Sequence, residues 1–152
     1  MDKEIINSIY HLFRSRMVTT IIALILIIVV IIVVGGVVKF KIVKSLLHQV
    51  LLIVGVAVCS IGLLILQFFS LLPIYKDYVE QSYVLLDNAK LVLKTESSGT
   101  IDRENQVIVT DSEGTQYEFK IESNYSLEMG IEYFGTIAYT KHSNYVVWYC
   151  WD

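Results

Sequence analysis

Two long apolar stretches dominate the first half of the chain. Residues 18–38 read VTTIIALILIIVVIIVVGGVV, with no charged side chain and no proline, and residues 50–74 form a second uncharged stretch. A 21-residue helix is about 30 Å long, which matches the hydrocarbon core of a bilayer. The short connection over residues 39–49 places the two helices side by side. The pattern therefore predicts a two-helix transmembrane hairpin over residues 18–74.

The residues before the first span have a helical pattern of their own. Over residues 1–17, apolar positions recur every three or four residues, as on one face of a helix, and polar residues lie between them. We expect an amphipathic segment that lies on the membrane interface. The alternative is that these residues extend the first membrane helix. The apolar positions are Ile5, Ile6, Ile9, Leu12, Phe13 and Met17.

Three small residues share one face of the second span. Gly55, Cys59 and Gly62 are spaced i, i+4, i+7, so another helix backbone can approach closely there. This face predicts packing either against the first helix or between protomers. We expect a homo-oligomer formed through these helices.

After Pro73 the period changes from helical to alternating, which predicts a soluble β domain over residues 75–152. Tyr117, Phe119 and Ile121 face one way on Gln116–Ile121, with polar residues between them. The pattern recurs over Ile131–Thr140, where Ile131, Tyr133, Ile137 and Tyr139 share one face, Glu132, Thr136 and Thr140 share the other, and Gly135 predicts a bulge or bend.

Turns at Asp111–Thr115 and Lys141–Asn144 separate further strands, and Gly114 supplies the positive φ of the first turn. Residues 83–94 form one long strand broken at Asp87-Asn88, or a tight hairpin. We predict five or six antiparallel strands closed into a small β-barrel, OB-like or SH3-like, because closure removes exposed edges. The fold class is thus a membrane α hairpin followed by a β-barrel.

The β domain is rich in aromatic residues, which suit the core of a small domain. They also suit a face that binds a ligand or partner, and Trp148 and Trp151 cannot both face one core easily. The candidates for such a face are Tyr133, Tyr139, Tyr145, Trp148, Trp151 and, from the adjoining turn, Lys141.

Charge divides the chain into a basic and an acidic half. Residues 1–75 carry six basic and two acidic side chains, and residues 76–152 carry six basic and thirteen acidic ones. An acidic domain lacks the basic footprint of a protein that binds a nucleic-acid polymer. Lysines and arginines flank both membrane ends in similar numbers, and Arg14 and Arg16 before the first span favour cytoplasmic termini. We expect a two-pass protein of the plasma or inner membrane, with the lipid bilayer as its first partner.

Residues for catalysis or metal binding are sparse. The three histidines are scattered, and Cys59 and Cys150 form no CxxC pair or metal-ligand spacing. No phosphate-binding or nucleophile motif is present. We expect no catalytic site, no cofactor and no metal.

A resemblance accompanies these patterns. Gly130, Tyr133, Ser143 and Val146 fall on the closing hairpin that is typical of small bacterial membrane proteins with two helices and a β domain. The layout also resembles the short NfeD-type proteins. That resemblance implies an OB barrel that works beside a membrane protease.

Three functions are compatible with this organisation. The first is a membrane-tethered module that binds a protein partner without chemistry. The second is a ligand-gated effector whose barrel senses a small molecule such as a nucleotide, which requires Lys90, Lys94, Arg103, Lys120 and Lys141 to converge. The third is an immunity-type protein whose acidic domain captures a basic toxin.

Overall fold

The structure is a computed structural model that describes residues 1–40, 45–95, 104–122 and 127–151. Two long helices are followed by a five-stranded mixed sheet. Most of the predicted connection 39–49 is described, but residues 41–44 lie outside the described residues, as does Arg103. In chain order the elements are α1 (Asp2–Lys39), α2 (Leu46–Glu80), β1 (Tyr83–Thr95), β2 (Glu104–Thr110), β3 (Gln116–Glu122), β4 (Glu132–Thr140) and β5 (Tyr145–Trp151).

The chain divides into two compact units. Residues 14–72 form a helical unit, and residues 1–13 with 73–152 form a sheet unit. Both helices are long and apolar enough to cross a membrane, and only 6% of the most apolar window of each is buried within the chain. α1 is continuous from Asp2, so residues 2–17 extend the first helix.

α2 continues beyond Pro73 to Glu80, past the predicted end of the second span. A proline inside a helix removes the hydrogen bond to the backbone carbonyl four residues earlier, so the helix is weakened at this point and needs support from elsewhere. Ile74 supplies part of it, because its side chain is buried against the sheet unit. Gln81, with φ of 48°, then ends the helix in the left-handed conformation common after a helix C-terminus.

The five strands pair in the order β1-β2-β3-β5-β4, and the ring closes because β4 also pairs with β1. The prediction of a purely antiparallel sheet is wrong, because β3 and β5 run parallel through Lys120–Tyr145 and Ile121–Val146. Strand direction cannot alternate around a closed ring with an odd number of members. A five-stranded ring must therefore contain at least one parallel pair.

β1 is one long strand and not a hairpin. Its register against β4 shifts between Leu86 and Ala89, at the predicted break. Asn88 has φ of 52° there, a conformation that asparagine tolerates better than most residues. The shift lets one strand contribute to pairings with both β2 and β4.

Two apolar clusters hold the sheet unit. The inner core takes residues from all five strands, among them Leu91, Val107, Ile121, Ile137 and Val146. The outer cluster joins the opposite face of β4 and β5 to the helix ends. Its buried members are Ile5, Ile9, Leu12, Ile74, Ala138, Tyr145 and Val147.

Residues 1–17 were expected to lie on the membrane interface, but part of this segment packs in the outer cluster instead. Ile5, Ile9 and Leu12 lie on one helix face and are almost fully buried against protein. A side chain buried in the sheet unit is not available to lipid. Thr140, expected on a polar face, is fully buried, and its hydroxyl hydrogen-bonds to Ser143 and to the backbone of Tyr145.

Candidate functional site

The most elaborate polar arrangement in the sheet unit surrounds Asp77, near the end of α2. Its carboxylate is fully buried. Oδ1 accepts hydrogen bonds from the His142 amide at 2.9 Å and the Ser82 hydroxyl at 3.1 Å. Oδ2 accepts from the Ser143 amide at 2.8 Å and the Ser143 hydroxyl at 2.6 Å. We call these four residues the Asp77 cluster.

Local structure presents these donors to Asp77. The turn between β4 and β5 is closed by Thr140, whose Oγ1 accepts from the Tyr145 amide at 2.8 Å and contacts Ser143 Oγ at 2.8 Å. Asn144, with φ of 56°, reverses the chain. The amides of His142 and Ser143 consequently point out of the turn toward α2. A buried carboxylate requires this kind of full pairing, because a carboxylate left without donors would be costly to bury.

A second contact ties the same turn to α2 at the protein surface. His142 Nε2 lies 2.9 Å from Glu80 Oε2, and Lys76 Nζ lies 4.0 Å from Glu80 Oε1. The hydrogen bond with His142 is the main reason that the pKa of Glu80 lies below its ordinary value, with Lys76 adding a smaller Coulombic contribution.

The Asp77 cluster contains serine, histidine and aspartate but lacks the geometry of a nucleophilic triad. A triad needs the histidine ring to contact the serine hydroxyl. Here the Ser143 hydroxyl donates directly to Asp77, and the His142 ring contacts Glu80 instead. In the described ranges, no three histidine, cysteine or acidic side chains group together as metal ligands would. The arrangement can join α2 to the β4–β5 turn.

The predicted aromatic candidates do not gather on one face. Tyr133 and Trp151 pack against the inner core with their ring centroids 5.1 Å apart and the rings tilted by 35°. The Tyr133 hydroxyl accepts a hydrogen bond from the Glu128 amide. Tyr139 also packs on the inner core, 4.3 Å from Phe119.

The other candidates lie on the opposite face of the sheet or at the turn. Tyr145 is buried in the outer cluster, and its hydroxyl donates to Glu104. Trp148 packs against the same cluster. Lys141 is exposed at the start of the β4–β5 turn, where its charge contributes to the lowered pKa of Glu80.

A register shift explains why the two tryptophans separate. Ala138 pairs with Trp148, whereas Tyr139 pairs with Val146, so the alternation along β5 slips by one residue. Val147 and Trp148 therefore both face the outer cluster. Trp151 returns to the inner core.

Lysines on the sheet are engaged by glutamates. Lys90 pairs with Glu132 at 3.0 Å and Lys120 with Glu104 at 3.0 Å. Lys94 pairs with Glu118. A pocket of about 200 Å³ is lined in part by Gln106, Glu118, Lys120 and Asn144, so its charged side chains already have partners.

The predicted helix-packing residues lie in the helical unit. Gly55 and Cys59 line a groove of about 310 Å³ between α1 and α2. Among the described residues, no side chain or backbone of another segment lies within 4 Å of where a Cβ would stand at Gly55 or Gly62.

Residue patterns alone did not indicate the Asp77 cluster. Asp77 follows a membrane span and resembles a solvated flanking acid, and Ser82 and Ser143 look like ordinary turn residues. The available signal is an aspartate near the C-terminal end of a helix, where the helix dipole disfavours negative charge. A carboxylate at that position needs hydrogen-bond donors from other parts of the fold to offset the unfavourable interaction with the dipole.

Comparison with protein-family models, curated protein sequences and solved structures gives no match.

Proposed function

We propose that the chain is a membrane-anchored interaction module, in which two spanning helices hold a β domain that binds a protein partner without chemistry. The observation that carries this proposal is the contrast between the two units. The helices leave nearly all of their most apolar surface uncovered within the chain, whereas the sheet unit has its own packed core.

Aromatic side chains next to the spans support a membrane location. Phe13 stacks on Tyr78 at 4.6 Å and lies 5.9 Å from Tyr75, and Tyr10 adds a fourth ring. Aromatic residues concentrate where membrane helices leave the hydrocarbon. The uncharged stretches 18–38 and 50–74 begin or end within a few residues of these rings.

The module is two-pass in the plasma or inner membrane, with both termini on the cytoplasmic side. An even number of spans places the ends of the chain on one face. Arg14 and Arg16, which directly precede the first span, favour the cytoplasm by the positive-inside rule.

Of the two expected barrel types, an OB-like barrel fits the strand pairing better. The order β1-β2-β3-β5-β4 with one parallel contact between β3 and β5 supports it. The layout of two apolar helices and an OB-like domain keeps the similarity to NfeD-type proteins as part of the proposal. A membrane protein neighbour is then the natural class of partner.

An exposed apolar surface on the sheet unit supports protein binding. Met129, Ile131 and Phe134 are 59%, 42% and 53% exposed and lie within six residues of one another in the chain. Exposed apolar side chains near one another commonly mark interaction sites. We place the partner on this surface, which we call the Phe134 surface.

The glutamate pairs of Lys90, Lys94 and Lys120 weigh against a phosphate-binding sensor. The same ion pairs neutralise three glutamates that could otherwise attract a basic toxin. The exposed acidic turn has a local role, because Asp111 accepts from the Glu113 and Thr115 amides. Protein binding is therefore the function that these contacts support best.

A photoreactive amino acid incorporated at Phe134 of the full chain tests the proposal in cells. We expect a protein adduct of discrete mass that disappears when Ile131→Ser and Met129→Ser are added. A matched probe at Glu113, exposed on the β2–β3 turn, should give no such adduct. The same adducts at both positions, or none at Phe134, would contradict the proposal.

A further inference from the structure

The strand β3 extends beyond its pairing with β5. It covers Gln116–Glu122, but β5 pairs with it only at Lys120 and Ile121. Residues 116–119 pair with β2 on one side, and no described strand pairs with them on the other. The first three of these residues are exposed to solvent. We call the unpaired side of residues 116–119 the β3 edge.

Two hydrogen bonds show which backbone groups point toward the β3 edge. On the β2 side, the carbonyl of Thr115 accepts a hydrogen bond from an amide just after β2 at 3.0 Å. On the opposite side, the amide of Lys120 donates to the carbonyl of Asn144 at 2.9 Å. Backbone groups of successive residues in a strand point alternately to its two sides. The N–H and C=O groups of Gln116 and Glu118 therefore point, like the amide of Lys120, away from β2.

The β3 edge has the chemistry that another extended strand recognises. Gln116 and Glu118 present two donors and two acceptors there, and within the described ranges these backbone groups have no hydrogen-bond partner on that side. Unpaired N–H and C=O groups at the edge of a sheet are a template for pairing with another chain. The occupant that fits this edge is therefore an extended polypeptide segment.

We propose that a second copy of this chain pairs with the β3 edge, strand against strand and antiparallel, about a two-fold axis at Tyr117. In this register Gln116 of each copy lies opposite Glu118 of the other, so the two pairs share four backbone hydrogen bonds. The side-chain amide of Gln116 then donates to Glu118, whose Oε1 accepts from Lys94 and whose Oε2 is left to accept. Because the same short stretch supplies both halves of the contact, a second copy fits the edge better than an arbitrary strand.

Other antiparallel registers fit the β3 edge less well. A two-fold axis at Glu118 would place two carboxylates opposite each other, and like charges at opposed positions are unfavourable. An axis at Gln116 would pair only that residue with its copy and leave Glu118 opposite the turn at Gly114. The register centred on Tyr117 is therefore the one that uses the whole edge.

Tyr117 is held ready for this contact by its neighbours in the chain. Its ring stacks on Phe119 with centroids 6.0 Å apart, and its hydroxyl donates to Asp111. Even so, 37% of the residue is exposed. On the two-fold axis the two Tyr117 residues form a pair without backbone hydrogen bonds, in which Cα atoms lie about 4.5 Å apart and the side chains are close. Pairing therefore covers an exposed ring that is already ordered.

Disulfide trapping tests the register in the full chain, purified in detergent, with Cys59→Ser and Cys150→Ser. Mild oxidation should cross-link Tyr117→Cys, because a Cα separation of about 4.5 Å suits a disulfide. Gln116→Cys is the matched control, since it is one residue away, is also exposed and lies opposite a different residue of the partner. We expect about fivefold less dimer from this control. Equal yields from the two variants would overturn the proposal.

A mixed sample tests the pairing of unlike residues across the axis. When chains with Gln116→Cys and chains with Glu118→Cys are combined, oxidation should link one kind of chain to the other. Each kind alone should link poorly, because neither residue lies opposite its own copy. A mixed sample with no more dimer than the separate ones would contradict the register.

Charge at position 116 provides variants that leave the core of the sheet unit untouched. Gln116→Glu places a like charge opposite Glu118 and should lower the trapped dimer of Tyr117→Cys about threefold, whereas Gln116→Lys should raise it. Both substitutions are at an exposed position, and tryptophan emission reports whether the sheet unit remains folded in each. Equal dimer yields from these two variants would overturn the proposal.

A strand of another protein is the competing occupant, and a photoreactive amino acid incorporated at Tyr117 in cells identifies it. We expect an adduct with twice the mass of the chain. Adducts of other masses alone would assign the β3 edge to another protein, and no adduct would leave the edge to water, so either result overturns the proposal. The expected adduct should persist with Ile131→Ser and Met129→Ser, which alter only the Phe134 surface. Failure of self-pairing therefore leaves the proposed function standing, and the converse also holds.

Discussion

Ser143 donates two hydrogen bonds to Asp77, from its amide at 2.8 Å and from its hydroxyl at 2.6 Å to the same Oδ2 atom. In the chain, the four strands β1 to β4 lie between these two residues. This contact, with those of Ser82 and His142 to Oδ1, fixes the β4–β5 turn to the last turns of α2.

We expect Asp77→Asn to lower the free energy of unfolding by about 3 kcal/mol, because the new amide group faces donors in a buried site and leaves them unpaired. Denaturant unfolding of the full chain, followed by tryptophan emission, measures the loss. Asp87→Asn is the matched control, since exposed Asp87 accepts one hydrogen bond, from Thr136. Equal effects of the two variants would show that the Asp77 cluster contributes no special stability.

Gly135→Ala should destabilise the sheet unit by more than about 3 kcal/mol or prevent its folding. An added Cβ would lie 1.9 Å from the Cys150 carbonyl oxygen, and a paired strand backbone cannot move aside. Gly114→Ala, at φ of 85° with open space around it, should cost only about 1 kcal/mol. Equal melting temperatures of the two variants would contradict the close approach of the β4 and β5 backbones at Gly135.

Acid should remove the contribution of the contact between Glu80 and His142. The pKa of Glu80 is lowered from 4.5 by its hydrogen bond with His142, so the contact stabilises the fold above about pH 4.5. That stabilisation is lost as the pH falls through the lowered pKa. Unfolding of the wild type and of Glu80→Gln should therefore differ at neutral pH and converge in acid. A constant difference across this range would contradict the assignment.

Ile9→Asp should expose Trp148 to water but leave Trp151 unaffected. Ile9 is buried in the outer cluster against which Trp148 packs, whereas Trp151 belongs to the inner core. Emission spectra of single-tryptophan chains, made with Trp151→Phe or Trp148→Phe, report on each site separately. We expect a red shift for Trp148 alone. No shift for either would favour the interfacial placement of residues 1–17.

The sequence pattern predicted β3, β5 and the turn at Gly114 well, because alternation and turn chemistry are local. It predicted the helices by their apolar length but not their extent, since Ile5, Ile9 and Leu12 are equally suited to lipid and to the outer cluster. The parallel pairing of β3 with β5 could not be predicted, because it depends on closure of the strand ring and not on any local sequence pattern.

The site was less accessible to sequence reasoning than the fold. The separation of Trp148 from Trp151 depends on a one-residue slip between Ala138 and Tyr139, a tertiary event. Asp77 has the appearance of a flanking acid, and only the position of Ser143 makes it a buried acceptor. Residues that act through partners distant in sequence have no local signature.

Impermeant maleimide labelling tests the central claim most directly, namely that two spanning helices hold the sheet unit on one side of a membrane. Three full-length chains each keep one thiol, at native Cys150, at Lys3→Cys or at Lys39→Cys, with the remaining cysteines changed to serine. In intact cells we expect labelling only at Lys39→Cys, and labelling of Cys150 and Lys3→Cys only after lysis. The reverse pattern would move the sheet unit to the outside. Equal labelling of all three before lysis would contradict a two-pass anchor.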